Sequence, residues 1–76
     1  MLSKKAFRVA QRMAAGEAFF ASGSPRLSPA IREELRSHGL WIQGEATRYE
    51  NRIFFPLDAD EFTAQLEEII ATRNYE

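Results

Sequence analysis

The chain has no cysteine, one histidine, one tryptophan, three prolines and four glycines in 76 residues. Without thiols there are no disulfides, no thiolate nucleophile and no sulfur-ligated metal, a composition that fits a reducing compartment better than a secreted one. A single histidine excludes a multi-histidine metal centre. Long apolar runs are missing too. The opening stretch MLSKKAFRVAQRMAAGEAFF is interrupted by Arg8, Gln11, Arg12 and Glu17, so it predicts neither a signal h-region nor a membrane span, which needs about 20 apolar residues. These absences predict a soluble, cytoplasmic protein with no membrane partner. A chain of this length predicts one domain, residues 1–76, which buries only roughly 60% of its unfolded surface and is stable by a few kcal/mol.

Charge is present in both signs but divided along the chain. Residues 1–36 carry seven Lys or Arg against three Glu, and residues 37–76 carry three Arg against eight Asp or Glu, within a net charge of −1. The division predicts either mutual attraction of the halves within one fold or two poles that face different partners.

Four elements separate along the chain. Ser3 is placed to cap a helix running to about Phe20, with Gly23 beyond it and Gly16 as an earlier point of kinking or ending. Leu2, Ala6, Val9, Ala10, Met13 and Phe20 share its apolar side, opposite Lys4, Lys5, Arg8 and Arg12. After the turn-forming stretch ASGSPRLS, Ser28 and Pro29 are an N-cap and N1 pair for a short helix. That helix ends at His38 and Gly39, with Leu40 over Leu35 as in a Schellman stop. The stretch LWIQGEATRYENRIFFPL, Leu40 to Leu57, reads as a β-hairpin. Pairing Ile42 with Phe55 sets Leu40 against Leu57 and Glu45 against Arg52 around a Thr47–Glu50 loop; a two-residue turn at Glu50 and Asn51 is the competing register. Asp58 and Glu61 then open a last helix with Leu57 stapled to Phe62, and Phe62, Leu66, Ile69 and Ile70 facing the core. The expected fold class is α+β, a small single domain of order α-α-β-β-α, with a two-stranded antiparallel hairpin packed on helices.

Side-chain alternation along the hairpin makes Leu40, Ile42, Ile53, Phe55 and Leu57 the inner face and leaves Trp41 and Phe54 on the outer one. Either a helix wraps over those two aromatics or another molecule covers them. The candidate partner-binding residues are therefore Trp41 and Phe54, with Tyr49, Arg48 and Arg52 beside them, since Trp, Tyr and Arg are the usual interface anchors.

Catalytic signals are missing. His38 belongs to a helix C-terminus, where an imidazole serves the last carbonyls and the dipole. The pairs Glu33/Glu34 and Glu67/Glu68 are adjacent on helices and do not converge. Asp58 and Asp60 are explained by capping, and no glycine-rich loop cradles phosphate. No cofactor, metal or small-molecule substrate is expected, and the chain reads as a non-enzyme. Its expected role is that of a protein-binding module, a small regulator, adaptor or inhibitor of phage or plasmid type, with another protein or a second copy of itself as partner.

The alternative partner is nucleic acid. Gly39, Arg52, Pro56, Asp60 or Glu61, and Phe62 fall where a helix ends near glycine, a hairpin follows, and a proline and an acid precede a last helix. In this the second half of the chain resembles excisionase and MerR-type winged helix-turn-helix modules. The resemblance implies DNA binding; the basic N-terminal half would then supply the phosphate contacts, from Lys4, Lys5, Arg8, Arg12, Arg26, Arg32 and Arg36, with Arg48 on the wing. Glu33 and Glu34 interleave with Arg32 and Arg36, and a net charge of −1 supplies no general attraction to DNA. Protein binding therefore ranks first.

Overall fold

The computed structural model describes residues 1–76. Its first helix, α1 (Lys4–Ala14), starts as expected, with the Ser3 hydroxyl accepting the Ala6 N–H at 3.2 Å, and buries Ala6, Ala10 and Met13 along one side. It stops six residues before Phe20. Gly16 takes a left-handed φ of +97°, the Gly16 N–H donates to the Met13 carbonyl and the Glu17 N–H to the Arg12 carbonyl, which together make a Schellman stop. Glycine adopts that conformation without a Cβ clash, so the helix ends where the apolar stripe is broken by Glu17.

The released residues form a strand that the sequence did not announce, β1 (Phe19–Phe20). The second helix, α2 (Pro29–Ser37), is capped by Ser28 and stopped by Gly39 at φ +79°. The Leu40 N–H donates to the Leu35 carbonyl and the Gly39 N–H to the Arg36 carbonyl, each at 3.0 Å, with Leu35 and Leu40 both fully buried. His38 Nδ1 lies 2.9 Å from the Glu34 carbonyl, the C-terminal capping position. Glu34 is not solvated surface: its carboxylate accepts the Ser3 N–H at 2.6 Å and the Ser3 hydroxyl at 2.9 Å, which places an anion at the positive end of α1.

The hairpin consists of β2 (Ile42–Ala46) and β3 (Arg52–Pro56), and with β1 it forms a three-stranded antiparallel sheet of order β1-β3-β2. The α+β class and the order of the helices and hairpin hold, with β1 added. The register differs by one residue from the expected Ile42–Phe55 pairing and by three from the competing two-residue turn: Ile42 lies across from Pro56, Gly44 from Phe54 and Glu45 from Ile53. The loop accommodates it. The Thr47 N–H donates to the Asn51 carbonyl at 2.7 Å and Glu50 adopts φ +61°, a three-residue loop, Arg48 to Glu50, of the type that ends in a left-handed residue.

A one-residue slip exchanges faces. On β3 the inward side chain is Phe54, 4% exposed, while Ile53 and Phe55 are half-buried on the opposite face and Leu57 is 60% exposed. The expected inner positions Leu40 and Ile42 do face the core. Phe54 fits inward because its cross-strand neighbour has no side chain: a Cβ on Gly44 would lie 2.6 Å from the Phe54 ring. Phe19 of β1 pairs with Phe54 from the other side and is equally buried.

The last helix, α3 (Ala59–Ala71), is capped by the Asp58 carboxylate, which accepts the Asp60 and Glu61 N–H groups. Phe62, Leu66 and Ile69 are buried, whereas Ile70, expected in the core, is 42% exposed. The helix ends in a third Schellman stop, the Arg73 N–H donating to the Ile70 carbonyl and the Asn74 N–H to the Ile69 carbonyl. Here the left-handed position is held by Arg73 at φ +55°, a conformation that costs an L-residue about 1–2 kcal/mol. Arg73→Gly and Glu50→Gly are each expected to stabilise the fold by about 0.5–1 kcal/mol after the entropy cost of glycine. Thermal unfolding followed by circular dichroism should show each midpoint rising by about 2–8 °C; an unchanged or lower midpoint would contradict the strain.

The chain ends are tied together. The Leu2 N–H donates to the Asn74 carbonyl, the Glu76 N–H to the Leu2 carbonyl, and Phe7 stacks on Tyr75 at 4.2 Å. Leu2 is thereby fully buried in a single core of twelve residues. The expected attraction between charge halves takes no ion-paired form. Both ion pairs, Arg12–Glu17 and Arg36–Glu33, lie within the first 36 residues. No helix is long and apolar enough to cross a membrane.

Candidate protein-binding surface

The Schellman stop of α2 delivers the chain into β2 with Trp41 at the joint. Its backbone is fixed, the carbonyl accepting the Leu57 N–H at 3.0 Å, but its side chain is 51% exposed. The Arg36 guanidinium stands 5.5 Å from the ring centroid, a cation–π arrangement worth about 0.5–1 kcal/mol at an exposed site. Trp41 divides two open hollows. One, of about 540 Å³, lies toward α2 and is lined by Pro29, Arg32, Glu33, Arg36 and Ile42. The other, of about 490 Å³, lies toward the start of α3 and is lined by Gly39, Leu57, Asp58, Glu61 and Gln65. Gln65 donates to the His38 carbonyl at 2.9 Å, fastening α3 to the turn that carries Trp41. Leu57, expected in the core, is instead the second large apolar side chain at this end of the hairpin.

Phe54 does not belong to this surface. It is core, roofed by the Arg32 guanidinium at 4.8 Å from its ring, because the one-residue slip in register turned it inward. Tyr49 is 76% exposed and carries Arg48 5.0 Å from its ring, but both sit at the closed end of the hairpin. Six strand residues at about 3.3 Å each separate that end from Trp41 by roughly 20 Å, so the two do not converge. Arg52 lies between them, its guanidinium donating to the Gly44 carbonyl at 3.3 Å.

The seven basic residues assigned to phosphate contacts are also divided. Lys4, Lys5 and Arg8 are exposed on α1. Arg12 grips Glu17 through two hydrogen bonds, 2.8 and 3.1 Å, and lies 5.0 Å from the Phe19 ring. Hydrogen bonding to Arg12 holds the Glu17 carboxyl below its usual range and raises the guanidinium in turn. Arg26 donates to the Ala21 carbonyl at 3.3 Å. Arg32 and Arg36 cover Phe54 and Trp41.

Two features of the surface escaped the sequence reading: the exposure of Leu57, and the role of Gly44. A glycine inside a strand is itself a signal of close approach, and here the approaching group is the Phe54 ring. No protein-family model, curated protein or solved structure matches the chain.

Proposed function

We propose that this chain is a non-enzymatic protein-binding module, a small regulator, adaptor or inhibitor that docks through Trp41 and Leu57 at the open end of its hairpin. The observation that carries the reading is the exposure of Trp41 at 51% on a rigidly bonded backbone between two hollows. A tryptophan side chain buries about 150–250 Å² when covered. Covering the exposed half therefore contributes about 2–3 kcal/mol at 25 cal/mol per Å², the size of an interface hot spot. The acidic outer side of α3 and the residues Lys4, Lys5 and Arg8 of α1 have no ion-pair partners in the chain, and they offer a partner opposite poles for orientation.

The test is photocrosslinking in the cells that make the protein, with a photoreactive residue replacing Trp41 in one variant and the exposed Glu67 of α3 in another. Discrete adducts specific to position 41 are expected. The same adduct pattern at both positions would refute docking at Trp41.

A second reading, DNA binding in the manner of excisionase and MerR-type modules, is favoured by one observation. The first turns of α1 carry Lys4, Lys5 and Arg8, all exposed, and no acid of their own, a basic stripe of the kind that neutralises phosphates. Random duplex DNA titrated at increasing salt should then show log affinity falling linearly with log salt, with a slope of about −0.9 per phosphate neutralised. No binding at low salt would remove this reading.

A further inference from the structure

The sheet has two edges and only one is open. Along β1 the Phe20 N–H donates to the Pro25 carbonyl and the Leu27 N–H to the Phe20 carbonyl, both at 2.9 Å, so residues 25–27 cover that side. No strand pairs with the far side of β2. The direction of its free groups follows from the ladder. The bonds from Leu57 to Trp41 and from Thr47 to Asn51 mark positions 41 and 47 as facing β3. Antiparallel alternation then turns the N–H and C=O groups of Ile42, Gly44 and Ala46 outward. Edges of this kind are commonly blunted by lysine, proline or a bulge, and the strand IQGEA has none of these. The one group resting on the edge is the Arg52 guanidinium on the Gly44 carbonyl.

Beside the Ile42 end of this edge lies the larger hollow, with α2 as its far wall. A strand edge facing a helix across an open hollow is the geometry in which an extended segment adds a strand, its alternate side chains entering the hollow. The surrounding charges select the segment. Arg32 and Arg36 line the hollow and Arg52 reaches over Gly44. The neighbouring acids are Glu33, 3.6 Å from Arg36 in an exposed pair, and Glu45 on the opposite face of β2. An exposed pair at that distance is weak and exchangeable.

We infer that β2 accepts an extended segment of a partner protein rich in Asp or Glu side chains. Its backbone pairs with Ile42, Gly44 and Ala46, and its carboxylates meet Arg36, Arg32 and Arg52. This deepens the protein-binding reading and rests on it. A second copy of the chain fits the edge poorly. Two-fold antiparallel pairing centred on Gly44 sets the Arg52 side chains of both copies on one face beside the axis, and like charges placed opposite one another destabilise a sheet.

The experiment selects random 12-residue peptides displayed on phage against the full chain, then titrates the synthesised winners into ¹⁵N-labelled protein. Winners should alternate acidic with β-branched or aromatic residues. On binding, the amides of Ile42, Gly44 and Ala46 should exchange with water at least tenfold more slowly. Arg36→Glu should weaken binding at least tenfold, as should Ala46→Pro, which removes an N–H that β3 does not use. The exchange measurement on the unaltered protein decides the matter even if the proline variant fails to fold. Winners that depend on Trp41 but leave those amides and the Arg36→Glu affinity unchanged would overturn strand addition while keeping the docking site at Trp41. Failure to select any peptide would overturn strand addition, and crosslinking at position 41 judges the broader reading separately. Amide protection that rises with protein concentration in the absence of peptide would assign the edge to a second copy and overturn the inference.

Discussion

Phe54→Ala is expected to leave the chain mostly unfolded at room temperature, whereas Trp41→Ser should still fold, with a smaller loss of about 2 kcal/mol. The two residues are aromatic, thirteen positions apart in one hairpin, and alike in sequence context; their surroundings differ. Phe54 is 4% exposed, packed over Gly44, paired with Phe19 and roofed by Arg32. Truncating a buried phenylalanine costs about 3–5 kcal/mol through lost transfer energy and the cavity left behind. A core in a domain of this size rarely supplies more than about 3–5 kcal/mol in total, so the loss is comparable to the whole stability. Trp41, half in water already, forfeits a cation–π contact and only the buried half of its ring, about 2 kcal/mol at about 25 cal/mol per Å², and leaves no enclosed cavity behind. Urea titrations followed by circular dichroism would check both variants. A cooperative transition in Phe54→Ala with a midpoint close to that of the unaltered chain would show that the ring is not core.

Gly44→Ala is expected to destabilise by about 1–3 kcal/mol, the usual cost of forcing volume into a packed site, although alanine has no general conflict with a strand. The added Cβ would meet Phe54 Cε1 at 2.6 Å and Cδ1 at 2.8 Å, distances that no packed pair tolerates. The ring has little room to retreat, since Phe19 and the Arg32 guanidinium occupy its other sides. The effect should depend on the ring. In a Phe54→Leu background, which removes the opposing edge of the aromatic, Gly44→Ala should cost at least 1 kcal/mol less. A double-mutant cycle measures that coupling directly, and a coupling near zero would show that the glycine serves some other purpose.

The capped helices were legible in the sequence for local reasons. Ser3, Ser28 and Asp58 each accept N–H groups of the turn that follows, and Gly39 stops α2 with Leu40 folded back over Leu35. Each signal lies within a few residues of the feature it specifies. The end of α3 carried no such sign, because Arg73 fills the left-handed position where glycine is the common choice. The strand at Phe19–Phe20 was hidden for a different reason. Its partner, β3, is more than 30 residues away, and two residues show no periodicity.

The hairpin was placed correctly and paired wrongly, and the consequence fell on the site. Opposite charges at Glu45 and Arg52 suggested a register that a surface pair worth a few tenths of a kcal/mol could not enforce. The fit of Phe54 against Gly44 and Phe19 outweighs it, since burying one aromatic is worth several times as much. With the slip, Phe54 left the candidate surface and Leu57 joined it, while Trp41 kept its exposure.

By itself the sequence determined the class, the starts of the three helices and the position of the hairpin, because capping, turn chemistry and alternation act between near neighbours. Tertiary structure alone decided the register, the third strand, which aromatic is core and which sheet edge stays open. Those choices depend on packing between residues far apart in the chain, where side-chain volume and the absence of one Cβ at Gly44 outweigh every local preference.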